Sequence, residues 1–306
     1  MNSSQSYLAT RLRSIRGDRE SSHANQTRSP AAIGLGSARW SLATRPDEDL
    51  ARATLELAVE LGVDLVDTAP AYTPPGHDSH SERLLARVMG DRFRDQTVLV
   101  STKGGHGRNP DGTFWVDGRP STLATQCEWS LRALGVDHIP LYSLHWPDPK
   151  VPVAESIGAL EMMRQEGKVG LVGVCNIDAV ALEHTVSSVA VDFVQGPMSV
   201  LDQSSADLAR TCERLGVLFM AYSPLGGGRA AELGRSTGLS RVARRRDVSP
   251  FQVALAWVLA QRGVIPIVGA GRPASLREAI DATHIALESE ELDVIRRSFP
   301  SDSQRR

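Results

Sequence analysis

From residue 31 onward, short apolar runs alternate with amphipathic stretches of about three turns, the pattern of βαβ units around a parallel sheet. The runs predict strands over residues 32–35, 65–67, 98–102, 139–144, 171–175, 193–195, 217–221 and 266–268. Between them, residues 47–61 put Leu50, Thr54, Leu57, Ala58 and Leu61 on one helical face, and Gly62 follows as the stop. A second clear helix begins at Ser249. There Ser249, Pro250 and Gln252 combine an N-cap, a first-turn proline and a capping-box partner, while Val253, Ala256, Trp257 and Ala260 supply the buried stripe. About eight such repeats predict an α/β fold, a single (β/α)8 TIM barrel over residues 31–306, whose chemistry belongs on the loops after the strand C-termini. An open doubly wound sheet is the competitor. Its first strand would be followed by a dinucleotide fingerprint, and Gly34-Leu35-Gly36-Ser37-Ala38-Arg39 lacks the third small residue.

Residues 1–30 have a different pattern: seven serines, five arginines and only two acids, Asp18 and Glu20, read as a flexible, disordered arm. Within it Leu8, Leu12 and Ile15 fall at i, i+4 and i+7, so one short helix is able to dock on the body. The composition also has the look of an organelle transit peptide, but only this one stretch is amphipathic.

Composition narrows the class. At 306 residues, 41% hydrophobic and 23% charged, the chain can bury one large core. A net charge of -2 gives no electrostatic reason to expect nucleic acid or an anionic membrane as partner, so a small molecule is the expected one. The three cysteines, Cys127, Cys175 and Cys212, show no paired short spacing and suggest neither a disulfide framework nor a zinc site. No apolar run approaches the roughly 18 residues of a membrane span, and the expected location is cytoplasmic.

In a barrel, polar residues at strand ends converge on one mouth. Asp67 ends the second strand, and Tyr72 lies five residues on in Asp67-Thr68-Ala69-Pro70-Ala71-Tyr72. Lys103 follows the third strand and His145 the fourth. A free tyrosine, with a pKa near 10, is a poor acid at neutral pH, and a neighbouring ammonium such as Lys103 lowers that value. A buried lysine needs a counter-ion to stay protonated, and Asp67 is the natural one. His145 would orient a carbonyl, and a hydride donor on one side of that carbonyl with Tyr72 on its oxygen would reduce it. No metal is required.

The types, order and strand-end placement of these four residues resemble the aldo-keto reductase family, whose tetrad is Asp, Tyr, Lys and His. The resemblance covers roughly residues 31–298 and extends to Gly167-Lys168-Val169, Gly173-Val174-Cys175-Asn176, Gln195 and Ala221-Tyr222-Ser223-Pro224-Leu225-Gly226. It implies an NAD(P)H-dependent reductase of aldehydes or ketones, with Asn176 and Gln195 on the nicotinamide carboxamide and Tyr222 stacked on its ring. Ser223, Pro224, Leu225, Gly226 and Gly227 would wrap the pyrophosphate, since amides of a glycine-rich turn can all face one anion. Gly269, Gly271, Arg272, Ser275 and Glu278 would hold the adenosine end. Arg272, the first cation of that loop, would take the 2′-phosphate, making NADPH the expected cofactor ahead of NADH.

The chain departs from the family pattern at three places. Cys175, a weak donor, stands where serine is usual; residues 196–199 replace polar and aromatic ones; Ser275 and Ala279 replace an arginine and an asparagine. The loop 104–122 and Pro147-Asp148-Pro149 look most like the branch containing pyridoxal reductases. Trp40, Trp115 and Trp146 are candidate walls of an apolar substrate pocket. Two rival readings are a nicotinamide-binding regulatory subunit of the same fold and a metal-dependent barrel hydrolase using His77, Asp78 and His80.

Overall fold

Each of the eight apolar runs forms a strand in the computed structural model, which describes residues 3–15 and 32–299. In chain order the strands are β1 (Gly34–Gly36), β2 (Leu65–Asp67), β3 (Leu99–Gly104), β4 (His106–Arg108), β5 (Phe114–Val116), β6 (Ile139–Leu144), β7 (Val169–Cys175), β8 (Phe193–Pro197), β9 (Leu218–Tyr222) and β10 (Val264–Val268). Eight of them close into a parallel barrel in the order β1, β10, β9, β8, β7, β6, β3, β2, the (β/α)8 architecture. The remaining two, β4 and β5, pair antiparallel as a hairpin inside the stretch read from sequence as a loop.

The barrel strands are buried on both faces, which is why they read as apolar runs rather than as an alternating pattern. Alternation is still present at the level of contacts. Leu65, Leu99, Leu141, Leu171, Phe193 and Leu218 pack together inside the lower barrel, while Val66, Val100, Val172 and Val194 face the helices. Stepping two residues up the inner face exchanges the apolar side chains of β2, β3, β6 and β8 for Asp67, Ser101, Ser143 and Gln195. The same period makes the interior oily at the N-terminal end and polar at the mouth.

Local signals hold the helices where they were expected. Asp47 caps the helix Glu48–Glu60 by accepting from the Leu50 amide, and Ser249 with Gln252 forms a complete capping box on Pro250–Leu259.

Within the N-terminal arm, Ser3–Ile15 is a helix. Leu8 and Leu12 enter the lower-barrel cluster and plug its end, as the docked alternative expected; of Ile15 only the helical backbone is described. Gly170 makes the room, since a Cβ there would lie 2.5 Å from Leu8 Cδ1. Arg11 fixes the helix by donating to Asp64 Oδ2 at 3.0 Å and to the Thr97 carbonyl at 3.1 Å. The rest of the arm, residues 1–2 and 16–30, lies outside the described residues. Among the described residues no helix is long and apolar enough to cross a membrane.

Candidate active site

Asp67, Lys103 and Gln195 leave the upper layer of β2, β3 and β8 as one buried network. Lys103 Nζ donates to Asp67 Oδ2 at 2.6 Å and to the Thr68 carbonyl at 2.8 Å. Asp67 Oδ1 accepts from Ser101 Oγ at 3.0 Å and from Gln195 Nε2 at 2.6 Å. Burial works against the Lys103 charge, but the neighbouring Asp67 carboxylate and Tyr72 outweigh it and raise its pKa, so the ammonium persists in the interior.

Tyr72 stands beside this pair, with the Lys103 ammonium 5.2 Å from its ring centroid. A chain of hydroxyls sets its loop: Thr68 Oγ1 donates to Ser81 Oγ at 2.8 Å, Ser81 Oγ to Ser37 Oγ at 2.7 Å, and Ser37 Oγ to the Asp67 carbonyl at 2.9 Å. The Ser81 amide then holds the Tyr72 carbonyl at 3.1 Å. The sequence reading expected Lys103 to bring the phenol below its ordinary pKa. Lys103 does pull downward, but burial dominates and the phenol is pushed up to about 12. The reason is visible in the network: much of the ammonium's field is answered by Asp67 at 2.6 Å.

His145 follows β6. Its amide donates to the Gly104 carbonyl at 2.8 Å, its carbonyl accepts from Asn176 Nδ2 at 2.9 Å, and its ring meets Tyr72 edge-on with centroids 5.6 Å apart. Burial, with the Lys103 charge adding to it, depresses its pKa well below the histidine range and keeps the imidazole neutral. Asn176 adopts φ of 59°, a left-handed conformation that asparagine tolerates, and its Oδ1 accepts from Tyr222 OH at 2.7 Å. Cys175 Sγ lies 3.4 Å from Ser143 Oγ and donates to Gln195 Oε1 at 3.7 Å. Burial pushes its thiol up to about 11, so it is no thiolate nucleophile.

All four tetrad residues line one cleft of about 1010 Å³ above the barrel mouth. Cys175, Asn176, Gln195, Tyr222, Ser223, Pro224, Leu225 and Gly227 share it, as do Gly269, Gly271, Arg272, Ser275 and Glu278 at the far end. Gly226 does not. Its missing side chain faces Leu201, where a Cβ would come within 2.6 Å of Cδ1, and its φ of 79° serves the turn. Of the three tryptophans only Trp146, 42% exposed, lines the cleft. Trp40 is 4% exposed and belongs to the core between barrel and helices, and Trp115 lies across Gly107 in its own hairpin. Apolar character alone could not separate these three.

The sequence reading missed Arg39, Phe251 and Gln252, which also line the cleft. Arg39 is anchored over Gly271, whose Cβ would sit 2.8 Å from Arg39 Nε. Its signal was the lone cation in the failed fingerprint after β1. Arg272 lies at the start of the helix Pro273–Ala282 with Nε on Ser275 Oγ at 3.2 Å. Glu278 accepts from Ser249 Oγ. The rival metal cluster is not assembled: His80 bridges Ser41 Oγ at 2.9 Å and Glu48 Oε1 at 3.0 Å, and Asp78 pairs with Arg83. Among the described residues no three His, Cys, Asp or Glu side chains gather as a metal site.

A closed parallel barrel with a cleft at its strand C-termini that holds a buried Asp–Lys pair beside a tyrosine has the arrangement of a barrel enzyme of acid–base type. Comparison with known proteins agrees: the model of the Aldo/keto reductase family matches residues 32–298. An uncharacterized oxidoreductase of Schizosaccharomyces pombe is 31% identical over 80% of this chain and 77% of its own. The NADH-specific methylglyoxal reductase of Escherichia coli is 27% identical over 86% of this chain and 93% of its own. A solved aldo-keto reductase of Klebsiella pneumoniae in complex with NADPH superposes with a TM-score of 0.75 at 26% identity, covering 91% of this chain and 94% of that one. The chain belongs to the aldo/keto reductase family, and with membership comes the general chemistry, nicotinamide-dependent reduction of carbonyl compounds.

Proposed function

We propose that this protein reduces an aldehyde or ketone to the alcohol with NADPH, and that Tyr72 is its general acid. The observation that carries the reading is the convergence of Tyr72 with the buried Lys103–Asp67 pair and neutral His145 in one cleft. When bound, the reduced nicotinamide supplies a hydride to the carbonyl carbon.

This chain's residues fit such a cofactor. The cleft is long, and its far end is floored by the backbone of Gly227, Gly228, Gly269 and Gly271, with no side chain on these residues to block close approach. Gln195 spends its amide nitrogen on Asp67, so it presents Oε1 as an acceptor, the group needed by a carboxamide NH2. Cys175 adds only a weak donor beside it.

Tyr72 keeps its proton throughout the neutral range and gives it to the carbonyl oxygen as negative charge develops there. An alkoxide is a much stronger base than a phenolate, so the transfer is downhill even from a raised phenol pKa. Lys103 stabilises the resulting phenolate, and Asp67 keeps Lys103 charged. His145, neutral, donates a hydrogen bond to the same carbonyl oxygen and orients it. Trp146 offers an apolar wall at the substrate end.

The NADPH preference stands on Arg272, which is exposed at the adenosine end and has Ser275 as its only side-chain hydrogen-bond partner among the described residues. The Klebsiella structure contains NADPH, whereas the E. coli relative is NADH-specific. Following reduced-nicotinamide absorbance with NADPH and then NADH, over a panel of aliphatic and aromatic aldehydes and ketones, tests the whole reading. Oxidation of NADPH that depends on a carbonyl compound supports it. No turnover of any carbonyl by a folded protein that binds NADPH would refute it.

A further inference from the structure

We infer that His106 is a positioning residue for His145, holding that imidazole in the tautomer whose proton sits on Nε2. The inference rests on the reading of His145 as the group that hydrogen-bonds the substrate carbonyl. His106 lies three residues after Lys103 on β4 and is not part of the cleft wall, so it acts through its neighbour.

The two rings meet at 86° with centroids 4.7 Å apart, and their Nδ1 atoms face each other at 3.3 Å. Two imidazole nitrogens share a hydrogen bond only if one carries the proton and the other does not. A carbonyl oxygen can only accept, so His145 must present an N–H to it. A neutral imidazole has a single N–H, which leaves Nδ1 of His145 as the acceptor in the pair and assigns the donor role to His106. Burial holds both rings in the neutral form that this requires, His106 being lowered to about 4. With His106 absent, no other side chain among the described residues hydrogen-bonds the His145 ring to select one tautomer over the other.

The hairpin is built to hold His106 still. Its ring stacks on Phe114 of β5 with centroids 5.1 Å apart and planes 20° from parallel. Its backbone pairs with Val116, and its carbonyl accepts from Gln126 Nε2 at 3.1 Å while Gln126 Oε1 accepts from the Gly105 amide at 2.6 Å. Gly105 turns the chain into the hairpin at φ of 80°, where a Cβ would lie 2.8 Å from Leu144 Cδ1. These contacts give β4 and β5 a role in the proposed site.

Nitrogen-15 NMR of the full-length protein labelled at histidine tests the assignment at neutral pH. The expected pattern is His145 protonated on Nε2 and bare on Nδ1, with His106 protonated on Nδ1. His106→Leu should leave the His145 signals averaged between tautomers and lower kcat about 10- to 100-fold, the scale of lost orienting partners, with the cofactor KM unchanged. His106→Asn returns a donor near the Nδ1 position and should recover most of that kcat. A wild-type His145 protonated on Nδ1 overturns the inference, as does an undiminished kcat in His106→Leu while His145→Ala is impaired. Wild-type turnover by His145→Ala would instead remove the reading beneath it.

Discussion

Lys103 Nζ and Asp67 Oδ2 stand 2.6 Å apart with almost no exposure to solvent, 2% and 5% for the two side chains. At that depth neither charge is tolerable alone, so the pair constrains the fold as well as serving the chemistry we propose. Asp67→Asn keeps the shape and removes the anion. We expect it to cost about 3–5 kcal/mol of stability at neutral pH, the range for an orphaned buried charge, read by chemical denaturation. The sign follows from Lys103: its folded pKa is raised, so the contribution is complete below the ordinary lysine range and is lost as pH rises through the folded value. The gap between wild type and variant should therefore hold at neutral pH and close only in strong alkali. Adding Lys103→Met should recover part of the loss; a single variant as stable as wild type would contradict the argument.

Tyr72→Phe removes the transferable proton and little else. Turnover should fall on the order of 10²- to 10⁴-fold, the worth of a positioned acid, while NADPH binding measured by fluorescence stays intact. Near wild-type reduction by this variant would exclude Tyr72 as the acid.

The barrel was legible because parallel strands buried on both faces leave apolar runs, and the tetrad because strand ends supply its members in order. What stayed illegible was set by tertiary context. The hairpin holding His106 has only three residues on each strand, too short to show a period. The plugging helix carries its buried stripe on few residues, and its docking shows in the complementary hole at Gly170 and the Arg11 contacts to Asp64 and Thr97. The direction of the Tyr72 shift is set by burial, which outweighs a Lys103 pull that Asp67 partly offsets, and no spacing reveals that balance.

Acid should weaken the fold through its buried neutral histidines. His106 is lowered to about 4 from an ordinary value near 6.5, mainly by burial, so below pH 6.5 the unfolded chain takes up a proton that the folded one refuses. Stability is then lost as pH falls from about 6.5 toward 4, and His145 acts in the same direction. Thermal melts across that range should show Tm dropping with pH, and the drop should be smaller in His106→Asn. An identical pH dependence in that variant would remove His106 from the account.

The helix Ser3–Ile15 touches the lower barrel end, opposite the cleft, so its contribution should be to stability alone. Leu12 is fully buried there, and Leu12→Ala should cost about 2–5 kcal/mol, the usual range for a core leucine. Its kcat at 25 °C should be unchanged. A deletion of residues 2–28 should likewise stay active while melting earlier; a folded but inactive deletion would show that the plug reaches the chemistry.

Cofactor choice divides between two arginines at the far end of the cleft. Arg39 crosses the backbone of Gly271, and we place it beside the part of the proposed cofactor path that both dinucleotides share. Arg272 sits one residue further on and, among the described residues, is tied only through Nε to Ser275, which leaves the end of its guanidinium available to an incoming phosphate. A guanidinium meets phosphate with two parallel hydrogen bonds and keeps its charge at every relevant pH, so it can distinguish a 2′-phosphate from a hydroxyl. A hydrogen bond to a charged group contributes about 1.5–3 kcal/mol, or roughly 10- to 100-fold in binding at about 1.4 kcal/mol per decade. Arg272→Ala should therefore raise the KM for NADPH by about that factor and leave the KM for NADH nearly unchanged. Arg39→Ala should weaken both cofactors alike, because it cannot sense the 2′ position. Equal losses with both cofactors in Arg272→Ala would reduce Arg272 to a structural role at the start of its helix and would remove the proposed source of NADPH preference.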